Sequence, residues 1–324
     1  MIVNPLIHGG GGSGQTFTFT NTGLFRYPEV VTIPNNVTSL TGTQAGFYQH
    51  TEIKEIKFQA GSAMTATGSN AFASCTGLKK ITFPDSLRTF GSNTLTGCTA
   101  LEEVIIPEGV TSLGTNTFNS CSSLKTVKLP STLTDLGTAF YGCQGLEAID
   151  IPSSVTSISS NAFYGCTHLA EVTIPEGVVT IGNSAFANCT SLEEIELPSS
   201  VTLLGAYSLS RNNKLKTIVL NSCPKSANST TGSENSWTAL SNNHPLIGCT
   251  NLEEFTVANG VEWIYDLNLS TFTKLTHDSL ANLINSLYDY SGGTAHTLTI
   301  GATNLAKLSA EEIAAATAKN WTIA

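Results

Sequence analysis

Residues 166–188 read CTHLAEVTIPEGVVTIGNSAFAN, and this stretch decides the fold. Val172 and Ile174 are two positions apart, so they point to the same side of a short strand. Pro175 is expected to end that strand, because proline has no N–H to donate to a sheet. The stretch therefore predicts a short strand with one apolar side, followed by a turn.

The rest of the unit predicts a second group of inward-facing side chains. Val178 and Ile181 follow the proline, and Gly182 permits a turn before the next segment. Phe186 is expected to fill the centre of the coil. One such unit cannot bury its apolar side alone, so the pattern requires neighbours stacked on both sides.

The unit recurs with a nearly constant period, which the cysteines mark. Their steps are 23, 23, 22, 23 and 23 residues, at Cys75, Cys98, Cys121, Cys143, Cys166 and Cys189. Weaker copies extend the repeat in both directions, and Asn212 takes the cysteine position in one of them. A fixed period of 20–29 residues is typical of a leucine-rich repeat solenoid.

The composition excludes several other classes of protein. The 324 residues carry 15 Lys and Arg against 24 Asp and Glu, for a net charge of −9. A nucleic-acid partner would require a basic patch, which this acidic chain does not offer. No apolar stretch is long enough to cross a membrane, and residues 1–14 show no secretory signal.

Two units carry a resemblance to a known family. Residues 75–97 (CTGLKKITFPDSLRTFGSNTLTG) and 166–188 resemble the leucine-rich repeats of the BspA-like, or treponemal-type, bacterial surface proteins. This resemblance covers about residues 24–270 and implies a non-enzymatic solenoid used for binding, often for adhesion. Residues 297–324 (TLTIGATNLAKLSAEEIAAATAKNWTIA) are similar to a module found in repeat proteins of gut bacteria and their phages.

We therefore predict an α/β-type repeat solenoid closed by a small α+β cap. The solenoid is expected to be a right-handed leucine-rich repeat coil of about ten units with short parallel strands. The predicted domains are a Gly-rich tail at 1–23, the solenoid at 24–270 with an inserted loop at 221–246, and the cap at 271–324.

The cap sequence contains signals for two helices and two strands. A helix is predicted from Thr276 or His277, and residues 296–300 alternate like a strand. Ser309, followed by Glu312, matches a capping box that opens a second helix to about Lys319. Residues 321–323 are predicted to form a closing strand.

The repeated cysteines are interpreted as small buried groups that stack on their equivalents. Disulfides between adjacent coils are the first alternative, because neighbouring coils bring equivalent Cα atoms close enough for a bridge. Zinc is the second, although no Cys-x-x-Cys occurs and the histidines share no spacing. Cys223 lies outside the repeat and is expected to be a free thiol.

Charged residues at outward strand positions suggest one binding surface. In the first units, positive and negative side chains partly alternate between neighbours. In the middle units this alternation stops and six carboxylates follow one another, namely Glu147, Asp150, Glu171, Glu193, Glu194 and Glu196. This acidic band is a candidate surface for a cation or a basic partner, and the alternative is a solvated acidic face. No calcium-loop motif is present, and we predict no cofactor and no metal site.

Two further segments carry binding hypotheses. Trp237 lies in the polar inserted loop, where it either anchors a partner or folds back over a gap in the coil. The glycines at 9–12 have the composition of a flexible linker. The residues before them are hypothesised to anchor the chain to a virion or surface assembly, through Met1, Ile2, Val3, Pro5, Leu6 and Ile7.

No nucleophile, metal-protease or hydrolase motif is present, so we predict that the protein is not an enzyme. The first hypothesis is a phage virion component, in the tail or as a head decoration, made in the bacterial cytoplasm. Its repeat surface would bind a host surface protein or glycan. The alternative is a bacterial cell-surface adhesin whose signal and anchor lie outside this chain. Assembly into a homo-oligomer is left open.

Overall fold

The computed structural model describes residues 15–17, 28–40, 47–226, 237 and 244–324. The chain divides into two compact units, Met1–Ser154 and Val155–Ala324. Both units are built from consecutive coils with short parallel strands, so the predicted solenoid fold is confirmed. The anchoring hypothesis for Met1, Ile2, Val3, Pro5, Leu6 and Ile7 falls outside the described residues.

The N-terminal unit contains one five-stranded parallel sheet in the order β2–β4–β5–β6–β7. Its strands are β2 (Val30–Ile33), β4 (Glu55–Phe58), β5 (Lys80–Ile81), β6 (Glu103–Ile105) and β7 (Thr126–Lys128). A strand β8 (Ala148–Asp150) follows them in the chain. Strand β1 (Gln15–Phe17) pairs in parallel with β3 (Val37–Leu40). The segment predicted to be a tail therefore contains a strand.

The C-terminal unit shows two rows of strands. One row consists of β9 (Ser157–Ile158), β11 (Thr180–Ile181), β13 (Leu203–Leu204) and β15 (Lys225–Ser226). The other contains β10 (Glu171–Thr173), β12 (Glu194–Leu197), β14 (Thr217–Leu220) and β16 (Glu254–Val257), of which the last three pair in parallel. The two rows correspond to the two groups of inward-facing apolar side chains that the sequence predicts in each repeat, such as Val172 with Ile174 and Val178 with Ile181.

The C-terminal segment forms the predicted helices and strands. Its elements are β17 (Leu267–Asn268), α1 (His277–Ser286), β18 (His296–Thr299), α2 (Gly301–Leu305), α3 (Ala310–Ala318) and β19 (Trp321–Ile323). The predicted capping box is confirmed, since Glu312 N donates to Ser309 Oγ and Ser309 N donates to Glu312 Oε2. The sequence did not predict β17 and α2, because two and five residues are too short for a periodic signal.

Aromatic rings stack along the centre of the coils, as predicted for Phe186. The rings of Phe163 and Phe186 are parallel, with centroids 5.1 Å apart. In the N-terminal unit, Phe118 and Phe140 stack in the same way at 5.5 Å. Gly182 is required by close packing between coils, since an added Cβ would lie 2.5 Å from the backbone nitrogen of Ser160.

The repeated cysteines form a ladder of buried hydrogen-bond donors. In successive coils, the thiol of Cys98 donates to the carbonyl of Phe72 at 3.1 Å, and the thiol of Cys121 donates to that of Leu95 at 3.2 Å. We call the seven buried members the ladder cysteines: Cys75, Cys98, Cys121, Cys143, Cys166, Cys189 and Cys249. The interpretation of these residues as stacked, buried groups is confirmed.

None of the eight cysteines, all of which lie among the described residues, forms a disulfide. Burial raises the pKa of the Cys143 and Cys189 thiols to about 12. The thiols therefore keep the proton that they donate, and thiolate chemistry is suppressed at neutral pH.

Asn212 takes the cysteine position and makes the same contact. Its Nδ2 donates to the carbonyl of Phe186 at 3.0 Å, and its Oδ1 accepts from the N–H of Cys189 at 2.8 Å. The side chain is fully buried. One amide thus satisfies two backbone groups that have no access to water.

Trp237 belongs to the core, and its interpretation as an exposed recognition anchor is wrong. Its side chain has 0% exposure, and its Nε1 donates to the carbonyl of Pro224 at 3.0 Å. The indole packs edge-to-face against Trp263 and His244, with centroids 5.4 Å apart in both pairs. An indole without access to solvent cannot contact a partner, so the alternative of a residue folded against the coil describes it.

The ladder position predicts how Asn212 tolerates substitution. Asn212→Cys restores a donor to the carbonyl of Phe186 but leaves the N–H of Cys189 without its acceptor, so we expect a cost in unfolding free energy of about 1–3 kcal/mol. Asn212→Leu has a similar volume but leaves two buried backbone groups unpaired, which should cost about 2–6 kcal/mol. Urea unfolding followed by circular dichroism measures both changes. Equal stability of the two variants would show that the ladder hydrogen bond is unimportant.

The buried His244 predicts a loss of stability in mild acid. Burial lowers its pKa from 6.5 to about 4. As the pH falls from 6.5 toward 4, the unfolded chain takes up a proton that the folded chain does not bind, so stability decreases. The shift corresponds to about 3 kcal/mol. The free energy of unfolding, measured with urea at a series of pH values, should fall with decreasing pH in the wild type and fall less steeply in His244→Phe. Identical slopes would contradict the assignment.

Candidate binding surface

The six predicted carboxylates all project from the outward side of the coils and are exposed. Two belong to the N-terminal unit, where Glu147 precedes β8 and Asp150 ends it. The other four, Glu171, Glu193, Glu194 and Glu196, belong to the C-terminal unit. The six carboxylates therefore divide between the two units.

Strand register places the carboxylates of the C-terminal unit in rows. Glu194 lies opposite Thr217 on β14, and Thr217 lies opposite Glu254 on β16. Adjacent strands are about 4.8 Å apart, so the two glutamates are separated by about 10 Å. Glu171 occupies the position equivalent to Glu194 in the preceding coil, 23 residues earlier. The outward side of this unit thus presents a row of carboxylates with one gap.

We define the acidic face by the six exposed glutamates on this side of the C-terminal unit. They are Glu171, Glu193, Glu194, Glu196, Glu253 and Glu254. Glu253 and Glu254 were not among the predicted site residues, because the inserted loop separates them in sequence from the other four. Their place in the repeat, after Cys249 and Leu252, is the signal that identifies them.

Two members of the acidic face have partners. The Nζ of Lys216 lies 2.9 Å from Glu193 Oε2, and this contact lowers the pKa of Glu193 and raises that of Lys216. Glu196 Oε1 accepts a hydrogen bond from Asn221 Nδ2 at 2.6 Å. The side chains of Glu171, Glu194 and Glu254 form no hydrogen bond or ion pair with the described residues. They are the carboxylates most available to an external cation.

The two units differ in charge. Residues 155–324 contain 7 Lys and Arg against 14 Asp and Glu, so their formal charge is 7 − 14 = −7. Residues 1–154 contain 8 against 10, which gives −2. On the outward side of the N-terminal unit the signs are mixed, and Lys57 pairs with Glu55 at 3.1 Å. Most of the net charge therefore belongs to the unit with the acidic face.

Two other exposed glutamates have a structural role that the sequence analysis missed. Glu176 accepts hydrogen bonds from the backbone N–H and the hydroxyl of Ser199 in the next coil, at 3.0 and 3.1 Å. These bonds lower the pKa of Glu176. Glu108 contacts Ser131 in the same way. The signal is Pro-Glu-Gly in one unit and Pro-Ser 23 residues later.

The described residues contain no cluster of three or more His, Cys, Asp or Glu side chains that could hold a metal ion. Among the same residues, no helix is both long enough and apolar enough to cross a membrane. The chemistry available on the acidic face is the electrostatic and hydrogen-bonding recognition of positively charged groups.

The chain is similar to several solved structures. A leucine-rich repeat protein from Bacteroides ovatus is 20% identical, with 91% of this chain and 92% of that chain covered and a TM-score of 0.50. A leucine rich cell surface protein from Faecalibacterium prausnitzii is 24% identical, with 86% and 87% covered and a TM-score of 0.48. The leucine-rich repeat protein of T. pallidum is 27% identical, with 51% and 78% covered and a TM-score of 0.47.

Family models identify the repeat itself, whereas no curated protein matches the sequence. Residues 16–139 and 137–236 match the BspA type leucine rich repeat region in six copies. These matches span more than half of the 324 residues and include the ladder cysteines from Cys75 to Cys189. The likeness to the Bacteroides ovatus structure concerns the same fold. The chain therefore belongs to the family of BspA-type leucine-rich repeat proteins.

Proposed function

We propose that the protein is a non-enzymatic binding protein and that its acidic face recognises a basic region of a partner protein. The observation that carries this proposal is the row formed by Glu171, Glu194 and Glu254 on the outward side of the C-terminal unit. Membership of a leucine-rich repeat family supports a role in protein interaction. In this proposal the partner is a protein with exposed Lys or Arg rather than a glycan.

The geometry favours a macromolecular partner over a single small cation. Carboxylates about 5–10 Å apart along parallel strands cannot converge on one ion, whose ligands lie within about 2.6 Å. They do match basic side chains distributed along an extended segment or a helix. Like charges on adjacent coils also repel each other, and a basic partner would relieve that repulsion.

The place where the protein acts is part of the same proposal. We favour the bacterial cell surface, because the BspA-like resemblance implies surface proteins. The virion hypothesis relied on residues 1–7 as an anchor and on the similarity of residues 297–324 to modules of gut bacteria and their phages. Mass spectrometry of the native source separates the two placements. Recovery with envelope proteins supports the surface, and recovery in purified phage particles contradicts it.

The proposal predicts that binding to a basic probe depends on the acidic face. An octalysine peptide with a fluorescent label is measured by anisotropy at 20 and 150 mM NaCl. The triple variant Glu171→Gln, Glu194→Gln and Glu254→Gln should weaken binding by about 10-fold or more at low salt, since each exposed charge contributes up to about 1 kcal/mol. Salt should weaken binding to the wild type, because the contacts are exposed.

The matched control removes three exposed carboxylates from elsewhere in the same unit. Glu262→Gln, Asp278→Asn and Glu311→Gln change the net charge by the same amount and leave the acidic face intact. This control should bind octalysine nearly as well as the wild type. Equal weakening in both triple variants, or no binding by the wild type at low salt, would leave the acidic face as a solvated surface.

A further inference from the structure

A tight turn follows strand β16, and its two central residues, Asn259 and Gly260, form the only Asn-Gly dipeptide in the sequence. The N–H of Val261 donates to the carbonyl of Ala258 at 3.0 Å and closes the turn. Gly260 has a φ of +84°, in the left-handed region that favours glycine. Both central residues are exposed. The turn therefore presents a side-chain amide next to a backbone N–H whose own residue has no side chain to shield it.

The space around this dipeptide is open. A Cβ added to Gly260 would meet no atom within 4 Å. At the equivalent turn of an earlier coil, a Cβ added to Gly109 would lie 3.0 Å from Cζ of Arg88. The side chain of Asn259 and the N–H of Gly260 form no hydrogen bond with the described residues. The peptide that joins the two residues can therefore rotate without displacing a neighbouring coil.

Other asparagines that precede a small residue are held between coils. Asn183 precedes Ser184, whose N–H donates to the carbonyl of Ala206 at 2.9 Å. The side chain of Asn183 is engaged as well, since its Oδ1 accepts from the N–H of Ala206 at 2.8 Å. The N–H that follows Asn119 donates to the next coil in the same way, at 2.8 Å. Stacking of the coils thus occupies the backbone nitrogen at these two positions and leaves it free after Asn259.

We propose that Asn259 is a site of spontaneous deamidation, in which its side chain reacts with the backbone nitrogen of Gly260. This nitrogen gives up its proton to the solvent and forms a bond to Cγ of Asn259. The bond from Cγ to Nδ2 breaks, and the leaving nitrogen takes up a proton and departs as ammonia. Water then opens the succinimide ring at one of its two carbonyls and yields aspartate or isoaspartate. In total, one water is consumed, one ammonia is released, and an amide becomes a carboxylate.

The product alters the C-terminal unit in two ways. Both forms add one negative charge, and isoaspartate also lengthens the backbone of the turn by one carbon atom. Asn259 occupies the position that Glu108 and Glu176 hold in the Pro-Glu-Gly turns of earlier coils. Formation of aspartate therefore gives this turn the carboxylate that its equivalents already carry. The reaction requires no partner and does not depend on the acidic face.

Peptide mapping by mass spectrometry tests the proposal on the folded, full-length protein. The protein is incubated at pH 8 and 37 °C in water enriched in 18O, which marks each deamidated side chain, and isoaspartate is detected by enzymatic methylation. The reaction at Asn259 should be at least about 10-fold faster than at Asn119 and Asn183, because their neighbouring N–H groups are released only by local opening of the coils.

Two comparisons separate the effect of the fold from the intrinsic reactivity of Asn-Gly. Unfolding in urea releases every backbone N–H, so it should accelerate the reaction at Asn183 more than at Asn259. The variant Asn259→Gln keeps an exposed amide but would have to close a six-membered ring, so it should yield little product at this position. The proposal is overturned if Asn259 stays intact in the folded protein while it reacts in the unfolded protein, or if Asn183 reacts as fast as Asn259 in the folded protein.

Discussion

A backbone carbonyl inside the coil accepts a hydrogen bond from a buried side chain of the next coil, and this contact between coils organises the rest of the structure. The carbonyl of Phe72 accepts a hydrogen bond from the thiol of Cys98, and the carbonyl of Phe186 accepts one from the amide of Asn212. Because the donor must be small and buried, it recurs at one fixed position per turn. Burial also holds the thiols in their protonated form. The hydrogen bond thus fixes the register in which each coil stacks on its neighbour.

Once this register is fixed, each outward side chain lies beside the equivalent side chain of the neighbouring coil. The fold places few demands on these positions, because they do not contribute to the shared core. They can therefore accumulate charge, as they do at Glu171 and Glu194, or pair it, as Lys57 does with Glu55. The same scaffold can display different binding surfaces, which is why the fold alone does not define the partner.

The sequence was sufficient wherever a feature recurs with the period. It predicted the first strand of the repeats, the central Phe186 and the equivalence of Asn212 with cysteine. Outside the repeat, a local motif predicted the capping box at Ser309. The sequence was insufficient where the period is interrupted. Trp237 lies in an insertion, so no equivalent residue in another coil indicates which way its indole points. The burial of His244, in the same insertion, was likewise hidden, because only tertiary packing determines which side chains of a loop reach the core.

The most direct test of this account is the reactivity of the thiols in the folded protein. The native protein is treated with one alkylating reagent, then unfolded and treated with a second, and both labels are located by mass spectrometry. The ladder cysteines should carry only the second label, whereas Cys223, which is partly exposed, should acquire the first label faster. Disulfides among the ladder cysteines, or their reaction with the first reagent before unfolding, would contradict a ladder of buried hydrogen-bond donors.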